Sequence, residues 1–369
     1  MSPKREFLMI KPIRVAVNGY GVIGKRVADA VKAQKDMTLI GVADVATDWR
    51  TRVLQTKGVP LFAATPKAFD ELRAAGRQTA GQLDDLLGEV DVIIDCTPKH
   101  VAADNVPLYR ARGLKFILQG GEKHAVTGHS FVAEANFETA VGRQATRVVS
   151  CNTTATVRTL SALKRAGLLQ RARGTLLRRA TDPWESHQGG IMNTLVPEPE
   201  IPSHQGPDAQ TVDPDLDVVT MAVKVPETIA HLHYWSIQMT RPAAKEEVLG
   251  AFRSSSRILL MKDAYGLDAL NAVKELMADR GRSRGDLYEV ALWADMLTVQ
   301  GDELFYAYMV DNQAIVVPET IDAIRALGGG ETSGRRSIAA TDLAMGIDND
   351  LFAGSRVWTS DSPPPEADL

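Results

Sequence analysis

Ile13-Arg14-Val15-Ala16-Val17-Asn18-Gly19-Tyr20-Gly21-Val22-Ile23-Gly24 is the stretch on which the fold turns. Its first half is apolar and β-branched, the pattern of a short buried strand, and its second half is a G-x-G-x-x-G turn directly behind that strand. A helix is predicted from about Lys25 to Gln34. Strand, glycine turn and helix in this order form the context that binds a dinucleotide. Gly19 permits the tight turn, Gly21 lets backbone approach a pyrophosphate, and Gly24 lets the helix pack closely. Val22 and Ile23 complete the candidate cofactor-binding set at this turn. A second strand, Thr38 to Ala43, ends at Asp44, about where an acidic residue binds a ribose hydroxyl. Taken alone, the stretch is also compatible with a glycine turn in an unrelated α/β unit.

Outward from this unit the alternation continues. Val90 to Cys96 reads as a buried strand ended by Thr97-Pro98, and Leu114 to Leu118 leads into Gln119-Gly120-Gly121-Glu122-Lys123. Both strand ends fall at the edge where an open parallel sheet meets its ligand. Cys96, inside an apolar run, reads as a packed thiol. Thr146 to Ser150 is a further strand, and Thr153 to Leu163 continues at helical spacing. Cys151 is thus expected at a helix N-terminus, where free N–H groups and the helix dipole favour a thiolate. The alternative is a buried structural cysteine.

Beyond Cys151 the strands lengthen and carry polar residues. Thr175 to Arg179 ends in Arg178-Arg179, and a loop rich in Gly and Pro from Trp184 to Pro207 holds His187, His204 and Gln205. Val218 to Val225 and Ile229 to Met239 read as adjacent antiparallel strands, with Leu287 to Leu297 and Glu303 to Val310 as two more. His231 and His233 share a strand face because side chains alternate with period two. They read as a core pair or, beside a cysteine nucleophile, as candidate bases.

A chain of 369 residues is long enough for two domains. Its net charge of −4 gives no general footprint for nucleic acid or an anionic membrane. Two cysteines argue against a disulfide scaffold, lack the paired spacing of zinc ligands and fit a reducing compartment. No secretory signal or membrane span is visible, so a cytoplasmic protein is expected. Ser2 to Phe7 reads as a loose extension, residues 353–369 as a disordered tail, and Arg280-Gly281-Arg282-Ser283-Arg284 as a solvated basic loop.

Seven segments together carry a family resemblance: Val15 to Gly24, Gln119 to Lys123, Ser150 to Thr154, Arg178 to Pro183, Ser203 to Asp208, His231 to His233 and Val316 to Ala326. In consistent order from about residue 12 to 348, they resemble the archaeal-type (type II) glyceraldehyde-3-phosphate dehydrogenases. The resemblance implies an α/β fold, with a doubly wound parallel Rossmann sheet and an α/β catalytic domain whose sheet is mostly antiparallel. Residues 12–150 would form the first domain and 151–330 the second. A C-terminal helix within 331–348, here Arg336 to Gly346, would return to the first domain, and a homotetramer is expected.

The resemblance also implies roles. Cys151 would attack an aldehyde, pass hydride from the thiohemiacetal to NAD or NADP, and release the resulting thioester to inorganic phosphate as 1,3-bisphosphoglycerate. His231 would be the base, with His233 its rival on the same face. Ser150, Asn152, His204 and Gln205 fall on substrate-contacting positions, and Gly121, Arg179 and Asn312 on cofactor-contacting ones. Arg178 suits a phosphate by its chemistry, the alternative being an ordinary surface arginine.

The chain departs from the family at three places. Asp44 stands where many members carry Lys, which favours NAD over NADP because a carboxylate repels a 2′-phosphate. Asp311-Asn312-Gln313 leaves either amide able to contact the cofactor. His204-Gln205 replaces a His-His pair, so the substrate phosphate would be held less tightly or the substrate would differ. The alternatives are therefore a related thioester-forming dehydrogenase acting on another phosphorylated aldehyde or an acyl-phosphate/semialdehyde pair, and a non-enzymatic NAD-binding redox sensor.

Overall fold

The computed structural model describes residues 11–119, 121–183 and 193–352. The expected N-terminal extension, the tail from 353 and the loop residues 184–192, with His187, lie outside the described residues.

Eight strands make the first sheet: β1 (Ile13–Asn18), β2 (Met37–Asp44), β3 (Leu61–Ala63), β4 (Gly81–Gln82), β5 (Val92–Asp95), β6 (Lys115–Gln119), β7 (Ser130–Phe131) and β8 (Ala145–Val148). Their order is β4-β3-β2-β1-β5-β6-β8-β7, and every pairing is parallel. Strand order reverses between β1 and β5, which opens a crevice at their carboxyl ends. The glycine turn fills one lip of that crevice. Gly19, at φ +93°, passes so close to the end of β5 that a Cβ would lie 2.9 Å from the carbonyl carbon of Cys96. A Cβ at Gly24 would lie 1.8 Å from the Gly19 oxygen. The helix behind the turn spans Val22–Ala33, beginning three residues before the expected Lys25, with Gly21 as its N-cap. Its first turn is thereby part of the glycine loop, and its free amides face the crevice.

In the second sheet, β9 (Leu169–Arg179), β10 (Val196–Pro197), β11 (Val218–Val225), β12 (His231–Met239), β13 (Ile258–Met261), β14 (Val290–Trp293), β15 (Thr298–Gln300) and β16 (Glu303–Val310) take the order β10-β11-β9-β12-β16-β14-β13, with β15 beside β16. Five of its seven pairings are antiparallel; β11 with β9 and β13 with β14 are parallel. The expected adjacency of β11 and β12 is corrected here, because β9 lies between them. Residues 226–230 are enough to cross one strand, since two inter-strand steps span about 10 Å. Gly174 on β9 admits the Trp235 ring of β12, whose atoms come within 2.7 Å of where a Cβ would stand. β9 also begins six residues earlier than expected, because its first half is polar and partly exposed.

The helix Cys151–Arg165 leaves the end of β8 and packs on β9, β14 and β16, with every residue from Asn152 to Leu163 buried. One continuous core runs from Val15 and Ile94 through Leu160 to Trp235 and Tyr308. After β16 the chain turns back. The helix Val316–Gly328 packs on β5, β6 and β8, and the helix Gly334–Met345 covers it.

Buried ion pairs tie the two sheets together. Arg257, just before β13, contacts Glu319, Asp322 and Asp342 on the returning helices, and Arg158 contacts Glu319. Arg26 of the first helix pairs with Asp286 at 2.8 Å. The basic segment Arg280 to Arg284 is not simply a solvated loop: Arg282 pairs with Glu289, and Arg284 reaches Asp29 of the helix Val22–Ala33. Among the described residues no helix is long and apolar enough to cross a membrane.

Candidate active site

Ser150 caps the helix that follows it, its Oγ accepting from the Thr153 N–H, so Cys151 becomes the first helical residue. The cap is anchored by Asp208, which accepts from the Thr153 hydroxyl at 2.9 Å and pairs with Arg147 of β8. Cys151 Sγ lies 3.5 Å from His231 Nε2. The other nitrogen of His231, Nδ1, accepts the backbone N–H of Arg179 at 3.0 Å.

Burial pushes the Cys151 thiol up to about 11, against the pull of Arg179, the Asn152 amide and Arg178. The helix start alone was expected to favour the thiolate, and this corrects it: in the resting protein, desolvation outweighs the nearby positive charge. His231 is held well below its ordinary value by burial, then by His233 and the two arginines, so it is neutral near pH 7.

His233, one strand repeat further on, has different partners. Its Nε2 donates to Asn152 Oδ1 at 2.8 Å and its Nδ1 is 3.0 Å from the Tyr308 hydroxyl, whose oxygen accepts from Trp235 Nε1. It is fully buried, and burial pushes its pKa down to about 3. The two rivals are therefore separated by geometry: His231 faces the sulfur, and His233 faces the amide of Asn152.

Cys151 and His231 line a cavity of about 480 Å³ together with Val22, Ile23, Ser150, Asn152, Arg178, Arg179, His204 and Asn312. The first turn of the dinucleotide-type helix and the nucleophile thus open onto one space. Gly21 has nothing within 4 Å of where a Cβ would stand, which leaves its side of the turn open to a ligand. Asn312 Oδ1 is buried with no partner among the described residues. Gln313, by contrast, donates to Asp182 and accepts from Arg26. Of the two amides left open by sequence, Asn312 is the one with a free acceptor. An open glycine turn, free first-turn amides and an unpaired carboxamide oxygen fit a nicotinamide dinucleotide lying from Gly21 toward Cys151. A larger cavity of about 570 Å³, beside Lys25, Trp49 and Arg284, has no cysteine, serine or histidine among its described lining residues.

Two family profiles divide the chain at the cysteine. Residues 13–153 match the dihydrodipicolinate reductase N-terminus, and residues 150–280 match the glyceraldehyde 3-phosphate dehydrogenase C-terminal domain. Proteins named glyceraldehyde-3-phosphate dehydrogenase are similar over nearly their whole length. That of Metallosphaera sedula is 44% identical over 91% of this chain and 98% of its own. That of Methanobrevibacter smithii is 42% identical over 90% and 99%, and that of Halobacterium salinarum is 42% identical over 91% and 100%. The chain belongs to the glyceraldehyde-3-phosphate dehydrogenase family.

The other residues expected from that family fall around this cavity in different ways. Asp44 is buried below the glycine turn, where its carboxylate accepts the N–H of Tyr20 and, at 2.6 Å, that of Ala46. Each carboxylate oxygen still has a lone pair for a ribose hydroxyl. Gly121 lies outside the cysteine's cavity, in a neighbouring one of about 590 Å³ that shares Ser150 and His204 and includes Lys99, Lys123 and Arg147. Gln205 is fully buried, does not line the cysteine's cavity, and neither amide atom has a partner among the described residues. Arg178 is paired with Glu198 and Arg179 with Asp182, so much of their charge is already balanced.

Lys224 was missed. It sits opposite Arg178 in the β9–β11 register, lines the cysteine's cavity and has no ion-pair partner among the described residues. The signal was present in β11, where a single cation stands among apolar residues at the strand end.

Proposed function

We propose that this chain catalyses the phosphorylating oxidation of glyceraldehyde 3-phosphate to 1,3-bisphosphoglycerate through a thioester on Cys151. The observation that carries this reading is the Cys151–His231 contact inside a cavity shared with the dinucleotide turn. Cys151 Sγ attacks the aldehyde carbon, and its place on the first helical turn keeps the sulfur near free amides. His231 handles the proton economy at the sulfur and at the substrate oxygen. When bound, the nicotinamide supplies the hydride acceptor. Asn312 and Arg179 would hold its nicotinamide end, and the first turn of the Val22–Ala33 helix would hold its pyrophosphate. Lys224, Arg178 and His204 hold the substrate phosphate, and inorganic phosphate enters the same basic space to release the acyl group.

Asp44 favours NAD over NADP, because a second negative charge would meet a buried carboxylate already fixed by two amides. We place the protein in the cytoplasm as a homotetramer, a state that light scattering would test. A second reading, another phosphorylated aldehyde, draws on Gln205, whose neutral amide replaces a histidine of the family pair. The deciding assay follows formation of reduced nicotinamide with glyceraldehyde 3-phosphate, using NAD or NADP, with and without inorganic phosphate. Phosphate-dependent turnover that favours NAD is expected; turnover only with a different aldehyde would move the assignment to the second reading.

A further inference from the structure

Trp235 begins a run of hydrogen bonds whose direction its own chemistry sets. An indole N–H can only donate, and Trp235 Nε1 donates to the Tyr308 oxygen at 2.9 Å. His233 Nε2, 2.8 Å from Asn152 Oδ1, carries the ring's hydrogen, because a carboxamide oxygen only accepts. The neutral ring then has a bare Nδ1, which accepts the Tyr308 hydroxyl hydrogen over 3.0 Å. Every bond thus points one way, from Trp235 through Tyr308 and His233 to the oxygen of Asn152. We infer that this chain of bonds locks the Asn152 carboxamide with its oxygen turned inward and its NH2 group facing the cysteine's cavity, where it donates to an oxygen of the aldehyde substrate. His233, Tyr308 and Trp235 are positioning residues that act through Asn152. The inference rests on the dehydrogenase reading, in which Asn152 contacts the substrate.

The second sheet builds this arrangement. Strands β12 and β16 pair His233 directly with Tyr308, and β12 and β9 pair Trp235 with Gly174. The missing Cβ at Gly174 leaves room for the indole ring, whose N–H then reaches Tyr308. His233 and Trp235 share a face of β12 by the two-residue period, and His233 meets the helix Cys151–Arg165 at its second residue. His233 and Tyr308 are fully buried. Burial holds the Tyr308 phenol far above its ordinary pKa and His233 well below its own, so each keeps the single hydrogen that the run of bonds uses. Asn152 is buried too, yet it lines the cysteine's cavity, and its Nδ2 has no hydrogen-bond partner among the described residues.

A half-turn of a free carboxamide exchanges its two ends. At Asn152 it would present an acceptor to the substrate's oxygen and set NH2 against the His233 N–H. Reversal would therefore require the ring to move its hydrogen to Nδ1 and the Tyr308 hydroxyl to find another acceptor in a buried site. A satisfied network resists this, because its members must change together. The amide is thus oriented before substrate arrives, and a donor fixed in advance spends no binding energy on turning.

Two measurements on the full chain test the inference. With ¹⁵N-histidine, the His233 signals are identified by their absence from a His233→Gln spectrum. Nε2 protonated and Nδ1 bare at neutral pH is expected; a protonated Nδ1 overturns the inference. The second measurement is a double-mutant cycle on kcat/KM for glyceraldehyde 3-phosphate. Tyr308→Phe keeps the ring and removes the hydroxyl, and Asn152→Ala removes the carboxamide. Tyr308→Phe is expected to lower kcat/KM about tenfold in the unsubstituted protein and less than about twofold when Asn152 is alanine, a coupling of the size found within one hydrogen-bond network. A tyrosine with a merely structural role would cost the same in both backgrounds, so equal losses overturn the inference. If Tyr308→Phe does not fold, Trp235→Phe takes its place in the cycle, since it removes the first donor and keeps an aromatic ring. If the unsubstituted protein shows no aldehyde-dependent cofactor reduction, the dehydrogenase reading falls and takes the donation to substrate with it. Turnover with Nδ1 protonated overturns the inference alone.

Discussion

Cys151 carries two opposing influences, and their balance sets its reactivity. The helix start and two arginines favour the thiolate, while burial raises the thiol to about 11. In the resting protein, alkylation of Cys151 by iodoacetamide is therefore expected to be slow at neutral pH and to accelerate as pH rises toward that value. A cationic nicotinamide bound beside the sulfur would favour the thiolate and shift the profile to lower pH. A pH–rate series with and without NAD reads both effects, and a plateau reached near neutrality without cofactor would contradict them. Lys224 gives a second expectation. It is a cation with no ion-pair partner among the described residues, opposite Arg178, and Lys224→Met is expected to raise KM for glyceraldehyde 3-phosphate about tenfold or more, the scale of one charge-assisted hydrogen bond. KM for NAD and turnover of unphosphorylated glyceraldehyde should move little; parallel loss on both aldehydes would show that Lys224 does not serve the phosphate.

The elements are held in place as much by buried charge as by apolar packing. Arg257 is fully buried and is shared by Glu319, Asp322 and Asp342, so it links the loop before β13 to both returning helices. Arg257→Met removes one positive charge and leaves three acids with less compensation. A loss of about 3–5 kcal/mol in unfolding free energy is expected, the cost of breaking a buried pair from one side. Urea denaturation measures it, and a change below about 1 kcal/mol would mean that water or repacking compensates the acids. This cluster was not legible in the sequence, where Arg257 and its partners are 62 to 85 residues apart. β1, β2, β11 and the cysteine helix were legible, because each follows a local period and ends on a recognisable signal. The place of β9 between β11 and β12 was not, since adjacency depends on side-chain fit such as Trp235 over Gly174.

For the whole molecule, buried neutral histidines link stability to pH. His129, wedged between Thr139 and Thr146, is pushed down to about 4, mainly by burial, and His233 to about 3. Their folded values lie below the unfolded value of about 6.5, so the unfolded chain binds more protons between these limits. Their contribution is fully present above about pH 6.5 and is lost as pH falls through the folded values. The thermal midpoint is therefore expected to drop as pH is lowered from about 6.5 toward 4. His129→Gln, remote from the cysteine's cavity, should flatten part of that dependence; an unchanged slope would place the acid sensitivity elsewhere.

Sequence by itself determined the dinucleotide turn, the cysteine at a helix start, the cofacial histidines and the family, because each lies in a short contiguous pattern with a direct physical meaning. Tertiary structure decided which histidine faces the sulfur, that Asn312 and not Gln313 keeps an acceptor free among the described residues, and that Lys224 joins the cavity while Gln205 does not line it. Those outcomes depend on which backbone N–H or side chain arrives from another strand, and strand order and burial are properties of the assembled sheets. The thiol makes the same point: its helix-start position was local and readable, but the desolvation that outweighs it comes from packing by residues distant in the chain.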